Sequence, residues 1–272
     1  MVEIIIKPNK GFFNLDLKEI WHFRELFYFL SWRDVKVRYK QTLIGIAWAV
    51  LQPFLTMIIF SIFFGKLAGI SSGEIPYPIF VYSGLLFWNY FANSLLTASN
   101  SLIAEQNVIQ KVHFPRIIIP LASTFVFLLD FVFSFIVFVG LMFYYHFFPT
   151  LTGLLLIIPS LLITFFGISG LSLVFSAINV KYRDVRYALP FFIQLLLFLT
   201  PVIYPVSILG KYQWLLYLNP ISGVIETIRT GLLGVGTINW FAFGFSALIS
   251  IVLFFLGILY FKKSERFFAD II

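Results

Sequence analysis

The sequence has no cysteine and few charged residues. The absence of cysteine among its 272 residues excludes disulfides and thiolate metal sites. Only 11% of the residues are charged, whereas soluble domains carry roughly 25%. The chain also lacks the G-x-x-x-x-G-K-[ST] loop that cradles nucleotide phosphates and the H-E-x-x-H motif that binds zinc. We therefore expect no P-loop ATP site, no metal site and no catalytic centre in this chain.

Hydrophobic residues make up 60% of the sequence, more than a soluble fold of this size could bury. A lipid bilayer is itself apolar, and a helix that spans it needs about 20 mostly apolar residues. Six stretches meet or approach this length, namely 42–64, 79–104, 117–148, 151–178, 188–204 and 240–261. The sequence thus predicts an all-α integral membrane protein with six transmembrane helices in a single membrane domain, residues 42–261.

Residues 206–239 separate the fifth and sixth predicted spans. They contain two apolar pieces, 208–218 and 221–233, which are each too short to cross the bilayer. Asn219 and Pro220 divide the two pieces. Irregular backbone at membrane depth is tolerated only where protein or a water-filled cavity covers it. We predict two re-entrant half-helices that enter the membrane from one face and could form an outer gate.

Basic residues concentrate on one side of the predicted topology. Of the 19 Lys and Arg residues, 16 lie in the segments 1–41, 105–116, 179–187 and 262–272. Six spans place all four segments on the same side, and the positive-inside rule identifies that side as cytoplasmic. Both termini are therefore predicted to be cytoplasmic. The same distribution explains the net charge of +7 without a nucleic acid partner.

The N-terminal segment predicts an amphipathic helix. Between residues 17 and 30, apolar residues recur at spacings of three and four, which places most of them on one helical face. Such a helix can lie in the membrane interface. Arg33, Lys36, Arg38 and Lys40 follow it and suit the headgroup region. The pattern leaves open whether the helix only anchors the chain or also binds a partner.

The loop 105–116 contains a second, shorter amphipathic pattern. Val108, Ile109 and Val112 would form a small apolar face on a short helix, with polar residues such as Gln106 around it. A helix of this kind can seat in the cleft of a soluble partner. It can equally rest on the lipid headgroups, and the pattern favours neither.

Three polar features lie at or near membrane depth. Asp130 is the one acidic residue well inside a predicted span, which suggests either a functional carboxylate or a structural hydrogen bond to Ser or Thr on a neighbouring helix. Glu226 and Arg229 are three residues apart and can pair on one helical face. The aromatics within the spans could line a channel for sugars, although aromatic belts facing lipid are the alternative. The channel candidates are Trp48, Tyr82, Trp88 and Tyr90.

Several stretches, in matching order, resemble the permease subunits of type-2 ABC exporters for bacterial surface polysaccharides, which include O-antigen, capsule and teichoic acid. They are residues 32–53 (WRDVKVRYKQTLIGIAWAVLQP), 111–122 (KVHFPRIIIPLA), Asp130, 179–205 (NVKYRDVRYALPFFIQLLLFLTPVIYP), 217–234 (YLNPISGVIETIRTGLLG) and 261–272 (FKKSERFFADII). The resemblance covers nearly the whole chain.

This resemblance implies a half-transporter in the bacterial inner membrane. Two copies would pair, and two separate ATPase subunits, which bind ATP and Mg, would dock underneath. The loop 105–116 would be the coupling helix, and the short loop 179–187 would be a further contact. The implied coupling residues are Gln106, Val108, Ile109, Lys111, Val112, His113, Arg183 and Asp184.

The resemblance also implies a substrate and a gate. The substrate would be a lipid-linked polysaccharide, most of all O-antigen, on an undecaprenyl diphosphate carrier. The basic cluster of Arg33, Lys36, Arg38 and Lys40 could then meet the diphosphate, although headgroup anchoring explains the cluster as well. The outer gate would include Asn219, Pro220, Glu226 and Arg229.

Two other classes of protein are weighed against this interpretation. An ion-coupled secondary transporter often shows broken helices in corresponding halves, but here the broken region occurs only near the C-terminal end. A membrane-embedded glycosyltransferase or polymerase needs carboxylates placed to hold a metal or to activate a hydroxyl. The predicted outer loops contain only Glu74 and Glu226, which are far apart in the sequence.

Overall fold

The computed structural model describes residues 17–40, 45–266 and 268, and all regular secondary structure in these residues is helical. The all-α prediction is therefore confirmed. The helices are α1 (Leu17–His22), α2 (Arg24–Lys40), α3 (Ala47–Phe60) with a π-helical extension (Ser61–Leu67), α4 (Tyr77–Ala104), α5 (Gln106–Lys111), α6 (Ile118–Thr124), α7 (Val126–Tyr144), α8 (Leu151–Lys181), α9 (Val185–Leu199), a 3₁₀ segment (Val206–Leu218), α10 (Ser222–Leu233) and α11 (Trp240–Glu265). The start of the first predicted span, residues 42–44, lies outside the described residues, as does most of the tail after 266.

Five helical stretches in the described residues are long and apolar enough to cross a membrane. They are Ala47–Leu67, Tyr77–Ala104, Ile118–Tyr144, Leu151–Lys181 and Trp240–Glu265. The predicted span 188–204 corresponds to α9, which has only 15 residues and a length of about 22 Å. The helix ends before Pro201, because a residue that precedes proline is disfavoured in helical geometry and Thr200 is extended. The count of six spans stays a prediction.

The third predicted span is shorter than the sequence suggested and has a break. Phe125 separates α6 from α7, and α7 ends at Tyr144 rather than at 148. His146 terminates it, since its backbone adopts a positive φ of 59°, which an α-helix cannot continue. The next helix begins at once, because the Thr150 side chain accepts a hydrogen bond from the Gly153 amide.

Helix α4 lies in the interior of the bundle, whereas α3 lies at its edge. Of the 18 most apolar consecutive residues in α4, 83% are buried. In the stretch that contains α3, the corresponding share is only 11%. Small residues bring α8 and α11 together. A Cβ added at Gly257 would lie 2.3 Å from the carbonyl oxygen of Gly170. Close backbone approach of this kind is typical of helix contacts in membranes.

The segment predicted as two half-helices forms one 3₁₀ segment and one α-helix. The 3₁₀ segment contains a kink at Gly210, where φ is +50°. Helix α10 is almost wholly buried, and its Gly223 amide donates a hydrogen bond to the Ser246 hydroxyl of α11. Gly234 ends it in the left-handed conformation that glycine favours. Protein thus covers α10, whereas most residues of the 3₁₀ segment are exposed.

The N-terminal amphipathic pattern corresponds to two helices, α1 and α2. Helix α2 packs against α6 and α7, where the Ser31 hydroxyl donates to the Ala122 carbonyl (3.3 Å) and Leu30 is buried. Trp21, Tyr28 and Phe29 remain 61–70% exposed. These helices therefore pack on the bundle through one face and present aromatic rings on another. Their predicted position in the membrane interface stays a prediction.

Candidate functional site

The short helix α5 occupies the loop predicted to be a coupling helix. Its apolar residues are turned inward more than the sequence suggested, since Ile109 is buried in a cluster with Leu102 and Phe114, and Val108 is half-buried. Within the predicted apolar face, only Val112 is exposed, at 53%. The bundle uses this apolar face to seat the helix on itself. The surface left for a partner is formed by Gln106, Lys111, Val112 and His113.

Charged contacts hold the loop on both sides of α5. Before the helix, the Arg33 guanidinium donates two hydrogen bonds to the Glu105 carboxylate, at 3.0 and 2.5 Å. These bonds raise the pKa of Arg33 above its ordinary value, and a further bond to Asp34 adds to the effect. After the helix, Arg116 bonds to Glu265 at the end of α11 through its backbone amide (3.4 Å) and its guanidinium (3.1 Å). The loop is thus tied to both terminal regions of the chain.

The acid predicted within the third span has a partner on α2. The Arg38 guanidinium lies 2.6 Å from the Asp130 carboxylate, and the Tyr39 hydroxyl donates to its other oxygen. Among the described residues, the partners of Asp130 are Arg38 and Tyr39, not the Ser or Thr of a neighbouring helix that was the predicted alternative. Because Arg38 precedes Asp130 by 92 residues, no local sequence pattern could have revealed the pair. Helix α2 therefore contacts the loop through Arg33 and the third helical stretch through Arg38.

The basic cluster predicted to meet a diphosphate divides into two pairs. Arg33 and Arg38 are engaged by carboxylates. Lys36 and Lys40 are exposed, and the Lys36 ammonium lies 5.4 Å from the centre of the Trp32 ring. A phosphate ligand would have to compete with carboxylates for the arginines, whereas the lysines have no such competitor among the ion pairs of the described residues.

Arg229 is buried between α10, α4 and the segment that follows α9. Its guanidinium donates to the carbonyls of Pro201 (3.0 Å) and Val202 (3.3 Å) and to the Ser83 hydroxyl (3.3 Å). It also lies 3.5 Å from the centre of the Phe80 ring. Burial lowers the pKa of Arg229 to about 9, so the group stays charged at neutral pH. Arg229 joins three elements at this end of the bundle.

The predicted ion pair between Glu226 and Arg229 does not form, because the arginine donors are directed at carbonyls on neighbouring segments. Glu226 lies near the Tyr217 hydroxyl of the 3₁₀ segment, and burial raises the pKa of Glu226. Asn219 donates to the Thr200 hydroxyl (2.7 Å) and accepts from the Ile221 amide (3.2 Å). Two of the gate candidates, Asn219 and Arg229, are therefore linked to the end of α9.

The four aromatic channel candidates do not share one environment. Tyr82, Trp88 and Tyr90 are at most 5% exposed and pack inside the chain, where the Tyr82 ring stacks on Phe138. Trp48 on α3 is 49% exposed. Helix α4 is interior, so its aromatics fill the core, and only Trp48 offers a free ring face in this conformation. In the loop between α8 and α9, Arg183 and Asp184 are exposed, as a docking contact requires.

This arrangement defines a class of protein, a multi-pass helical membrane protein whose polar groups brace helices against one another. Residues 25–233 match the ABC-2 type transporter family, and the chain belongs to that family. Among curated proteins, it is 30% identical over 246 residues to "O-antigen export system permease protein RfbA" of Klebsiella pneumoniae, covering 88% of this chain and 92% of that relative.

Two further relatives extend this comparison. A protein of the same printed name from Myxococcus xanthus is 28% identical over 217 residues, covering 78% of this chain and 82% of the relative. The "Polysialic acid transport protein KpsM" of Escherichia coli is 20% identical over 235 residues, covering 86% of this chain and 91% of the relative. The similarity thus extends over most of the chain in each case.

Proposed function

We propose that this chain is the permease subunit of an ATP-driven exporter that moves a lipid-linked polysaccharide, with O-antigen as the first candidate, across the bacterial inner membrane. The observation that carries the proposal is the similarity to O-antigen export permeases over 88% of the chain. The carrier of the glycan is proposed to be an undecaprenyl diphosphate lipid. The chain itself is a transport subunit and not an enzyme.

Six crossings remain the preferred topology, because α9 does not end the apolar stretch. The helix rises about 22 Å, and residues 200–205, most of them apolar, continue it as a turn in which the Val202 amide donates to the Thr200 carbonyl. Pro201, Val202 and Ile203 are buried, so this segment needs no lipid-exposed backbone. With six crossings, both termini, α5 and the loop at Arg183 lie on the same side, which positive charge identifies as cytoplasmic.

A second copy of the chain is proposed to complete the channel. Six helices of about 10 Å diameter cannot easily enclose a passage wide enough for a glycan. Helices α3 and α9 both lie at the edge of the bundle and expose large apolar side chains, such as Ile59 on α3, Ile62 on its π-helical extension, and Phe191 and Phe198 on α9. The second copy would cover part of this surface, and membrane lipids would cover the rest.

Two ATP-binding subunits are proposed to dock on the cytoplasmic side and to bind ATP and Mg. Their contacts would be the exposed residues of α5, with Val112 as the apolar anchor, together with Arg183 and Asp184. Movement of α5 would reach α2 through Arg33 and Glu105. The exposed Lys36 and Lys40 are the better candidates for the carrier diphosphate.

The alternative function, an ion-coupled transporter, has Asp130 as its strongest candidate for an ion-binding residue. An ion-binding carboxylate has to be free to coordinate the ion, but Arg38 and Tyr39 bond to both oxygens of Asp130. The observation therefore favours a structural role for this acid.

The proposal is tested by replacing Val112 with Asp in a strain that lacks its own copy of this gene. Wild type should restore surface glycan and co-purify with the neighbouring ATPase. Val112→Asp should fold and reach the membrane, because this side chain is exposed, but it should lose ATPase association. Ser71→Asp adds the same charge on the opposite predicted side and should change neither readout. Retention of both ATPase association and export by Val112→Asp would show that α5 is not the coupling element.

A further inference from the structure

A small polar cleft lies between α3, α4 and α7. Its polar lining comes from Gln52 of α3, from Asn89 and Asn93 of α4, and from Asp130 and Ser134 of α7. The cavity volume is about 20 Å³, which holds one or two water molecules. Gln52 is exposed at the mouth, whereas both asparagines are half-buried. The cleft is therefore open at the edge of the bundle and polar inside.

The three amides of this cleft lack hydrogen-bond partners within the described residues. This distinguishes them from the amide of Asn179, which donates to the Ser99 carbonyl and to Asn100, both at 3.0 Å. Asn89 and Asn93 lie near the middle of α4, a stretch able to cross the membrane. Unpaired amides are costly in hydrocarbon and face water-filled cavities or polar partners. The cleft must accordingly be reached by water or by a polar ligand.

The charges around the cleft narrow the choice of ligand. The Asp130 carboxylate at its wall repels a phosphate, while the Arg38 guanidinium, 2.6 Å from that carboxylate, repels a metal or sodium ion. An acyl chain would leave the amides unsatisfied. A neutral hydroxyl can donate to the amide carbonyl and accept from the amide nitrogen, so it matches Asn and Gln side chains in both senses.

We propose that this cleft is a contact subsite for the sugar hydroxyls of the exported glycan, an inference that rests on the proposed function. The volume admits a hydroxyl group but not a sugar ring, so the glycan passes along the mouth at Gln52 and inserts one group at a time. Contacts that are few and uncharged suit transport, since the ligand must also leave.

Because the chain has no cysteine, Gln52→Cys introduces a single thiol at the exposed mouth of the cleft, where a reagent too large for the cleft itself can still react. We would express it with the partner ATPase in cells, add a water-soluble methanethiosulfonate reagent, and isolate the chain to quantify labelling. The rate is compared between cells that synthesise the lipid-linked glycan and cells in which that synthesis is blocked. Leu95→Cys, at a buried site of α4, and Ser71→Cys, at an exposed site outside the cleft, are the controls.

The expected result is labelling at Gln52→Cys when synthesis is blocked, and labelling about fivefold slower during synthesis, as when the glycan occupies the mouth for about four-fifths of the time. Leu95→Cys should stay unlabelled and Ser71→Cys should label equally in both states. Equal labelling of Gln52→Cys in both states would overturn the proposal in favour of water alone. No labelling of Gln52→Cys in either state would show that the mouth is closed to solvent and would overturn it too.

Complementation separates this subsite from the proposed function. Failure of the wild-type gene to restore export would refute the proposed function itself. Restored export without protection of the thiol would refute only the subsite. Ala49→Cys, which lines the same cleft on α3, repeats the measurement, so that one poorly folded variant does not decide the outcome. As a direct check on hydrogen bonding, Asn93→Leu should slow export about fivefold, whereas Thr97→Val, on the same helix outside the cleft, should not.

Discussion

The pair of Arg38 and Asp130 gives the sharpest test of how α2 is held on the bundle. The Asp130 side chain is only 13% exposed, whereas Arg38 is 34% exposed. Replacing Arg38 with Met keeps most of the apolar stem but leaves a largely buried carboxylate with Tyr39 alone. We expect this change to lower the free energy of unfolding by about 2–3 kcal/mol, somewhat less than for a fully buried pair.

The reciprocal change should be milder, because the charge that it leaves behind can reach water. Asp130→Asn keeps the shape of the side chain, and the half-exposed Arg38 can reorient toward solvent. We expect a loss of about 1 kcal/mol, near the upper end for exposed ion pairs. The double variant removes both charges and should cost about 1.5 kcal/mol, so the coupling energy is about 2 kcal/mol.

Unfolding of the purified chain in mixed detergent micelles measures the free energy of unfolding of the wild type, the two single variants and the double variant. Lys36→Met is the matched control, since Lys36 lies on the same helix but contacts an aromatic ring rather than a carboxylate. It should change stability by less than about 0.5 kcal/mol. If the two single effects add up to the effect of the double variant to within about 0.5 kcal/mol, the reasoning is refuted, because independent sites behave in that way.

Three further predictions concern the packing of α11 and the segment between α9 and α11. Gly257→Ala should lower the melting temperature of the chain, because the new methyl group would lie 2.3 Å from the backbone of Gly170. Gly244→Ala is the control on the same helix. Its methyl group would meet nothing within 4 Å, so the melting temperature should stay unchanged or rise slightly. Arg229→Lys should speed proteolysis of the segment between α9 and α11, since a single ammonium cannot bond the Pro201 and Val202 carbonyls and the Ser83 hydroxyl together as the Nη2 and Nε groups do. Glu226→Gln should raise thermal stability at neutral and higher pH. Burial raises the pKa of Glu226, so the ionised carboxylate of the wild type opposes folding. The advantage of the variant should vanish at a pH low enough to protonate the wild-type carboxyl. An advantage that grows as the pH falls would contradict this last prediction.

Long-range contacts account for most differences between the sequence-based expectations and the structure. The apolar face of α5 was visible in the sequence, but a face that binds a partner and a face that seats a helix on its own bundle have the same periodicity. Ile109 proved to be buried. Likewise, the spacing of Glu226 and Arg229 allows pairing, yet the arginine reaches backbone carbonyls that lie 27 and 28 residues earlier.

The sequence by itself determined that the chain is helical and embedded in a membrane, because lipid leaves backbone groups no partners except those within a helix. It also located the basic segments, the polar residues at membrane depth and the irregular region around Asn219 and Pro220. Only the tertiary structure decided that Asp130 is paired with Arg38, that α4 is interior, and that Asn89, Asn93 and Gln52 converge on one cleft. Each of these depends on which helices are neighbours. In an apolar sequence, many packings bury similar area, and the small residues and few polar groups that select among them act across long separations in the chain.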